Sequence, residues 1–137
     1  MKLLYYTGKD PYSELDLTPE QIKNEVFEKL IKVVPRVGPK ETARSLVAIR
    51  VVRGRGNPEN QEFRDFEIDI EIFVPLTQWI IKDSNLRPFA IMGEIHRSLN
   101  NKTIDGLGKM VGGDFQINFL TDEIGCYEMV YGITSYD

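Results

Sequence analysis

The chain has 137 residues, a formal net charge of −4 and a single cysteine, Cys126. This length predicts one domain with a sizeable core, and hydrophobic and charged shares of 42% and 28% exclude global disorder. The acidic balance argues against a dedicated duplex-DNA binder, and one cysteine cannot form an internal disulfide.

We expect residues 1–17 to form an arm that lies on the domain or reaches towards a neighbour, followed by a single domain over residues 18–137. The N-terminus is too short and too polar to predict a signal peptide. No apolar run approaches the roughly 18 residues of a membrane span. These features predict a soluble protein of a reducing compartment.

A helix is predicted to begin at Thr18-Pro19. Thr18 can cap it, Pro19 suits its first position, and Gln21 completes a capping box. An apolar stripe at helical spacing predicts that the helix continues to just before Pro35; its members are Ile22, Val26, Leu30, Val33 and Val34.

A long antiparallel hairpin is predicted over residues 44–74, with a loop at residues 54–61. The second strand carries one apolar row and one acidic row, because side chains alternate across a pleated strand. The apolar row comprises Phe66, Ile68, Ile70, Ile72 and Val74, and the acidic row comprises Glu67, Asp69 and Glu71. The apolar row is predicted to face the core.

The remaining elements are predicted to be a crossover that contains Trp79, a helix over residues 86–100, a glycine-rich turn at 101–109, and strands at 115–119 and 126–135. The whole pattern predicts an α+β fold. A mainly antiparallel, twisted sheet with a long hairpin is flanked by two helices, which pack on its apolar face.

The acidic row has two readings. Oxygen ligands at this pitch could hold Mg²⁺ or Ca²⁺, as in a metal-dependent nuclease. The reading we favour is the solvated side of an amphipathic sheet, because metal sites usually draw ligands from several elements. We predict no catalytic, cofactor-binding or metal site, since neither His96 nor Cys126 has a sequence context that marks it for catalysis.

A contact surface is predicted around the end of the hairpin. Its arginines could contact phosphates, carboxylates of another copy, or solvent alone, and we favour the carboxylates. Phe73, Trp79 and Phe89 are candidate apolar anchors. The predicted interface comprises Arg50, Arg53, Arg55, Asn57, Phe73 and Trp79.

The order of elements resembles the tail terminator, or tail-completion, proteins of long-tailed bacteriophages. The resemblance covers about residues 18–135: the capped helix, the hairpin with its glycine-rich tip, a strand ending in Val74-Pro75, the Trp79 crossover, a helix and two closing strands. It implies a homo-hexameric ring in the virion that caps the tail tube, joins it to the head–tail connector, and assembles in the host cytoplasm.

The resemblance further implies a channel through which DNA passes without specific binding and no association with a membrane. Glu67, Asp69 and Glu71 would face that channel and repel the phosphates. Two alternatives remain open: a metal-dependent nuclease that uses these three acids, and a small monomeric binding module.

Overall fold

The computed structural model describes residues 1–34, 37, 43–56, 58–59 and 63–136. The fold is α+β, as predicted: a six-stranded, mostly antiparallel sheet curls into a half-barrel and carries three helices. The strands are β1 (Ile31–Val33), β2 (Leu46–Gly56), β3 (Phe63–Pro75), β4 (Thr103–Ile104), β5 (Gly108–Leu120) and β6 (Ile124–Tyr136). The helices are α1 (Lys2–Tyr5), α2 (Pro19–Gln21, continued as a π-helix over Ile22–Phe27) and α3 (Arg87–Leu99).

The sheet order is β1-β2-β3-β6-β5-β4. Strands β2 and β3 form the predicted long hairpin, and β3 pairs along its length with β6. Strand β5 begins earlier than predicted, because most of residues 101–109 form the short β4–β5 hairpin. The sheet therefore has two unlike edges, β1 on one side and β5 with its short partner β4 on the other.

The helices cover one face of the sheet, which we call the helix face. The apolar row of β3 points into this layer, and Ile70, Ile72 and Val74 are fully buried there with Val26 of α2 and Ile91 of α3. The predicted orientation of the strand is confirmed. The opposite face, which we call the open face, carries a smaller apolar cluster of Leu46, Ala48, Phe73 and Cys126.

The first predicted helix begins as expected but ends early. The Thr18 hydroxyl accepts from the Gln21 amide, and the Gln21 side chain accepts from the Thr18 amide, so the capping box is confirmed. However, the helix ends at Phe27, and Ile31–Val33 pairs in parallel with β2. The extension to Pro35 was wrong, because the β-branched residues of this segment complete the edge of the sheet.

The N-terminal segment packs on the domain. Leu3 and Leu4 of α1 are buried in the main core, next to residues of the sheet and α3. The guanidinium of the fully buried Arg87 donates to the carbonyls of Leu3, Tyr6 and Gly8, and to that of Gln78. A single side chain of α3 therefore holds the backbone of the first eight residues close to that of Gln78.

Gly125 of β6 lies against the ring of Trp79. A Cβ added at Gly125 would come within 2.3 Å of the ring, whereas one added at Gly132 of the same strand would meet only a carbonyl at 3.7 Å. We expect Gly125→Ala to lower the free energy of unfolding by about 2 kcal/mol, because the indole must move out of its packing. Denaturation followed by the fluorescence of this single tryptophan tests this, with Gly132→Ala as the matched control. Equal stability of the two variants would contradict the prediction.

Candidate functional site

Arg50 is the centre of a charged network on the open face. Its Nη2 lies 2.8 Å from Glu71 Oε1, 3.6 Å from Asp69 Oδ2 and 3.9 Å from Glu128 Oε1. Strand register explains the cluster: Arg50 lies opposite Asp69, and Glu71 lies opposite Glu128. Three neighbouring strands thus bring one guanidinium and three carboxylates together.

Two amides of β5 complete the network. Asn118 Nδ2 donates to Glu71 Oε1 at 2.7 Å, and Gln116 Nε2 donates to Glu128 Oε2 at 3.0 Å. Each amide reaches a carboxylate across the open face of the sheet, so charge-assisted hydrogen bonds extend from β2 to β5. The amides satisfy lone pairs but bring no charge, so one guanidinium still faces three acids.

The charge imbalance appears in the proton affinities of the acids. Burial, together with the hydrogen bond and charge of Glu128, raises the pKa of Asp69 from 3.8 to about 6, although Arg50 opposes the shift. Hydrogen bonds from Gln116 and Asp69 lower the pKa of Glu128. The two carboxyls therefore share a proton, held by Asp69, only below about pH 6, and near neutral pH the ionised Asp69 adds to the excess negative charge.

We expect Asp69→Asn to raise the free energy of unfolding by about 1–2 kcal/mol near neutral pH. The folded-state pKa of Asp69 lies above its unfolded value, so its contribution to stability falls as pH rises from about 4 to about 6. Asparagine does not titrate and can donate to Glu128 in place of the shared proton. Urea denaturation at acidic and neutral pH tests both points.

The matched control for this variant is Glu67→Gln. Glu67 lies on the same face of β3 but is partly exposed, and we expect its change to leave stability within about 0.5 kcal/mol. If Asp69→Asn were less stable than the parent at neutral pH, the ionised form of Asp69 would be the favourable one and the account above would fail.

The predicted solvated acidic row was wrong for two of its three residues. Asp69 and Glu71 are only 8% and 6% exposed, and Glu67 is the one that is more open. Alternation along β3 correctly predicts that the three acids share one face of the strand. It does not predict that Arg50 and the side chains of β5 and β6 cover two of these acids. Asp69 and Glu71 therefore lie buried beside Arg50 and are largely shielded from solvent.

The predicted interface residues are scattered. Arg50 lies within β2, away from the loop, and pairs with acids of its own chain, whereas Arg53 and Arg55 are exposed towards the end of β2. Phe73 is not the exposed anchor we expected: it is 5% exposed and packs against Phe119, with 5.8 Å between ring centroids. Trp79 is half-buried. Asn57 lies outside the described residues.

An exposed apolar patch lies where β5 meets α3 on the helix face. Phe89 of α3, Phe115 of β5 and Tyr127 of β6 form a ring cluster with centroids 5.2–6.3 Å apart. Ile117 and Leu120 extend it along β5, opposite Tyr127 and Gly125. Phe89, Phe115, Ile117 and Leu120 are 41%, 55%, 50% and 61% exposed. We call these four residues with Tyr127 the aromatic patch. The alternation at residues 115–119 predicted the strand but not the exposure of its apolar side chains.

An apolar groove lies at the other side of the helix face, between α1, α2, α3 and the sheet. It encloses about 340 Å³ and is lined almost entirely by hydrocarbon, with Glu94 and Ser98 as its polar members. Phe27 and Ile31 border it next to β1, and Ile95 and Leu99 border it on α3. The helices therefore leave part of the helix face uncovered.

The contacts of His96 and Cys126, the two side chains considered for catalysis, are structural. His96 Nδ1 lies 3.2 Å from the Tyr131 hydroxyl, and Cys126 is fully buried, where desolvation raises the pKa of its thiol to about 12. Within the described part of the chain, no group of three or more His, Cys, Asp or Glu residues is placed to hold a metal ion. The same residues include no helix that is long and apolar enough to cross a membrane.

Comparison with known proteins assigns the chain to a family. The family model described as YomW matches residues 1–133, nearly the whole chain, so the chain belongs to the YomW family. No curated protein sequence matches it.

Proposed function

We propose that this YomW-family chain is a structural virion protein, a tail terminator that forms a homo-hexameric ring at the end of a phage tail tube. The ring would join the tube to the head–tail connector and leave a channel through which DNA passes. The protein would assemble in the host cytoplasm and remain in the virion.

The observation that carries the proposal is the aromatic patch on an exposed sheet edge. Soluble monomers rarely expose a contiguous apolar patch of more than a few hundred Å², and larger ones mark contact surfaces. Four large side chains at about half exposure present roughly 400 Å², if each offers roughly 200 Å² when fully open. A patch of this size is within the roughly 300–600 Å² of the largest patch on a typical monomer, and such patches are often functional contact surfaces.

The order of elements supports the same proposal. The capped helix, the long hairpin, the crossover with Trp79, the helix over Arg87–Leu99 and the two closing strands are all present in the fold. These are the features on which the resemblance to tail terminators rests. The net charge of −4 also suits a channel that must not retain DNA.

The charged network supports a structural role over the nuclease alternative. Arg50 occupies the space between Asp69, Glu71 and Glu128, where a catalytic cation would have to sit. Arg50 already provides the positive charge that these carboxylates need, so the network stabilises three strands of the fold. Incubation with DNA and Mg²⁺ or Mn²⁺ tests this point. Cleavage by the parent protein that is lost in Glu71→Gln would support the nuclease alternative instead.

Light scattering and electron microscopy of the purified protein test the ring. We expect a particle with the mass of six chains, either alone or after addition of the tail tube protein, and rings at the ends of the tubes. A strict monomer at high concentration that also forms no ring on tubes would contradict the proposal. Capture of one unrelated protein by a monomer would favour the binding-module alternative.

A further inference from the structure

Two apolar surfaces lie on the helix face at opposite edges of the sheet. The aromatic patch lies at the β5 edge, and the apolar groove lies beside β1. Val33 of β1 extends the apolar surface beyond the groove. It pairs with Ile49, whose side chain lines the groove, and it is 81% exposed. One edge therefore presents large side chains, and the other presents space for them.

Both edges also have backbone groups available for pairing. Strand β4 pairs only with Gly108 and Lys109 of β5, and in the described part of the chain no strand pairs with the outer side of residues 113–120. On the other edge, β1 pairs with β2 on one side, and no described strand pairs with its second side. An open edge such as residues 113–120 of β5 is a template for pairing with a strand of another chain, and β1 offers a short strand of three residues for it.

We propose that the β5 edge of one copy docks against the β1 edge of the next copy, so that Phe115 and Ile117 pack on Val33 and Phe27 at the mouth of the apolar groove. This inference rests on the proposed ring. A ring requires a contact between two different surfaces of the same chain, because a contact of one surface with itself closes as a two-fold dimer. The sheet provides two such surfaces on one face.

The sizes of the two surfaces agree with this arrangement. A cavity of about 340 Å³ is at the small end of the roughly 300–1,000 Å³ of ligand pockets, which gives room for one or two large side chains. The patch supplies roughly half of the ~800 Å² that each partner buries in a standard interface. The backbone of β5 and the polar residues around it supply the remainder.

Disulfide trapping tests the pairing directly. Val33→Cys and Ile117→Cys are prepared as separate proteins, and the native Cys126 does not interfere because it is fully buried. We expect an oxidised dimer only when the two variants are mixed, and a ladder of cross-linked species in the double variant. A dimer from Ile117→Cys alone would indicate β5–β5 pairing and would overturn the inference.

A charge placed on the patch and a bulky side chain placed in the groove give an independent test by light scattering. We expect Ile117→Lys and Ser98→Trp to reduce the assembled fraction at least tenfold, the first by charging the patch and the second by filling the mouth of the groove. Val111→Lys is the matched control, because Val111 is 54% exposed on the same strand but lies opposite Gly132, on the open face.

The outcomes separate the inference from the proposed function. If rings form but neither substitution affects them and no mixed cross-link appears, the inference fails and the ring stands. If the parent protein is a monomer under every condition, with and without tubes, both fail.

Discussion

Replacement of Arg87 by methionine is expected to lower the free energy of unfolding by about 3–5 kcal/mol, the largest effect of any single change proposed for this chain. The side chain is fully buried, and its guanidinium donates to the carbonyls of Gln78, Leu3 and Tyr6 at 2.7, 2.7 and 2.8 Å. Methionine matches the length of the stem but leaves these acceptors without a donor inside the protein, and each orphaned acceptor costs about 1–3 kcal/mol.

Two further variants identify the cause of this loss. Arg87→Lys keeps the charge but has one ammonium in place of a planar fork, so we expect it to recover less than half of the lost stability. Arg97→Met removes an exposed arginine of the same helix and should change stability by less than about 0.5 kcal/mol. Limited proteolysis should cut residues 1–17 faster in Arg87→Met, because three of the carbonyls lie there. A loss below about 1 kcal/mol would contradict the anchoring role.

Local sequence features predicted the parts of the fold that depend on local physics. The capping box at Thr18 and Gln21 needs only adjacent residues, and it was confirmed. The alternation of Ile68, Ile70 and Ile72 against acidic residues predicted both the strand and its buried face, because the pleat has a period of two. The α+β class followed from these elements.

Features that depend on distant partners could not be predicted in the same way. Arg87 has no local signal, since its acceptors at Leu3 and Tyr6 lie 84 and 81 residues away in the chain. The burial of Asp69 and Glu71 depends on strand register, which places Arg50 beside one acid and Glu128 beside the other. At Ile31–Val33, helical spacing and β-branched composition competed, and pairing with β2 decided in favour of a strand.

Replacement of Arg50 by methionine is expected to destabilise the protein by about 2–4 kcal/mol near neutral pH, and by less in mild acid. Without the guanidinium, the carboxylates of Asp69 and Glu71 on β3 and of Glu128 on β6 face one another with no cation between them. The folded-state pKa of Asp69 then rises further, because Arg50 is the neighbouring charge that opposes its rise. Stability should recover as pH falls, since the folded protein then takes up the protons that relieve the repulsion.

Arg50→Lys is the matched variant, and we expect lysine to preserve more of the stability at position 50 than it does at position 87. All three ion pairs of Arg50 involve the single atom Nη2, so a lysine ammonium can occupy nearly the same position. Urea denaturation across the range from mild acid to neutral pH measures the difference. We expect Arg50→Lys to lose less than half of what Arg50→Met loses.

The double variant Arg50→Met with Asp69→Asn tests whether the loss of stability in Arg50→Met is caused by repulsion between the carboxylates. Because asparagine removes one of the repelling acids, the double variant should be more stable than the sum of the single changes predicts, by about 1 kcal/mol or more. Additivity within about 0.5 kcal/mol would show that Arg50 acts through packing alone. If the coupling is found, Asp69 and Glu71 of β3 contribute to folding through their charge pairing with Arg50 of β2. The contact between copies that we propose then involves the helix face, where the aromatic patch and the apolar groove lie.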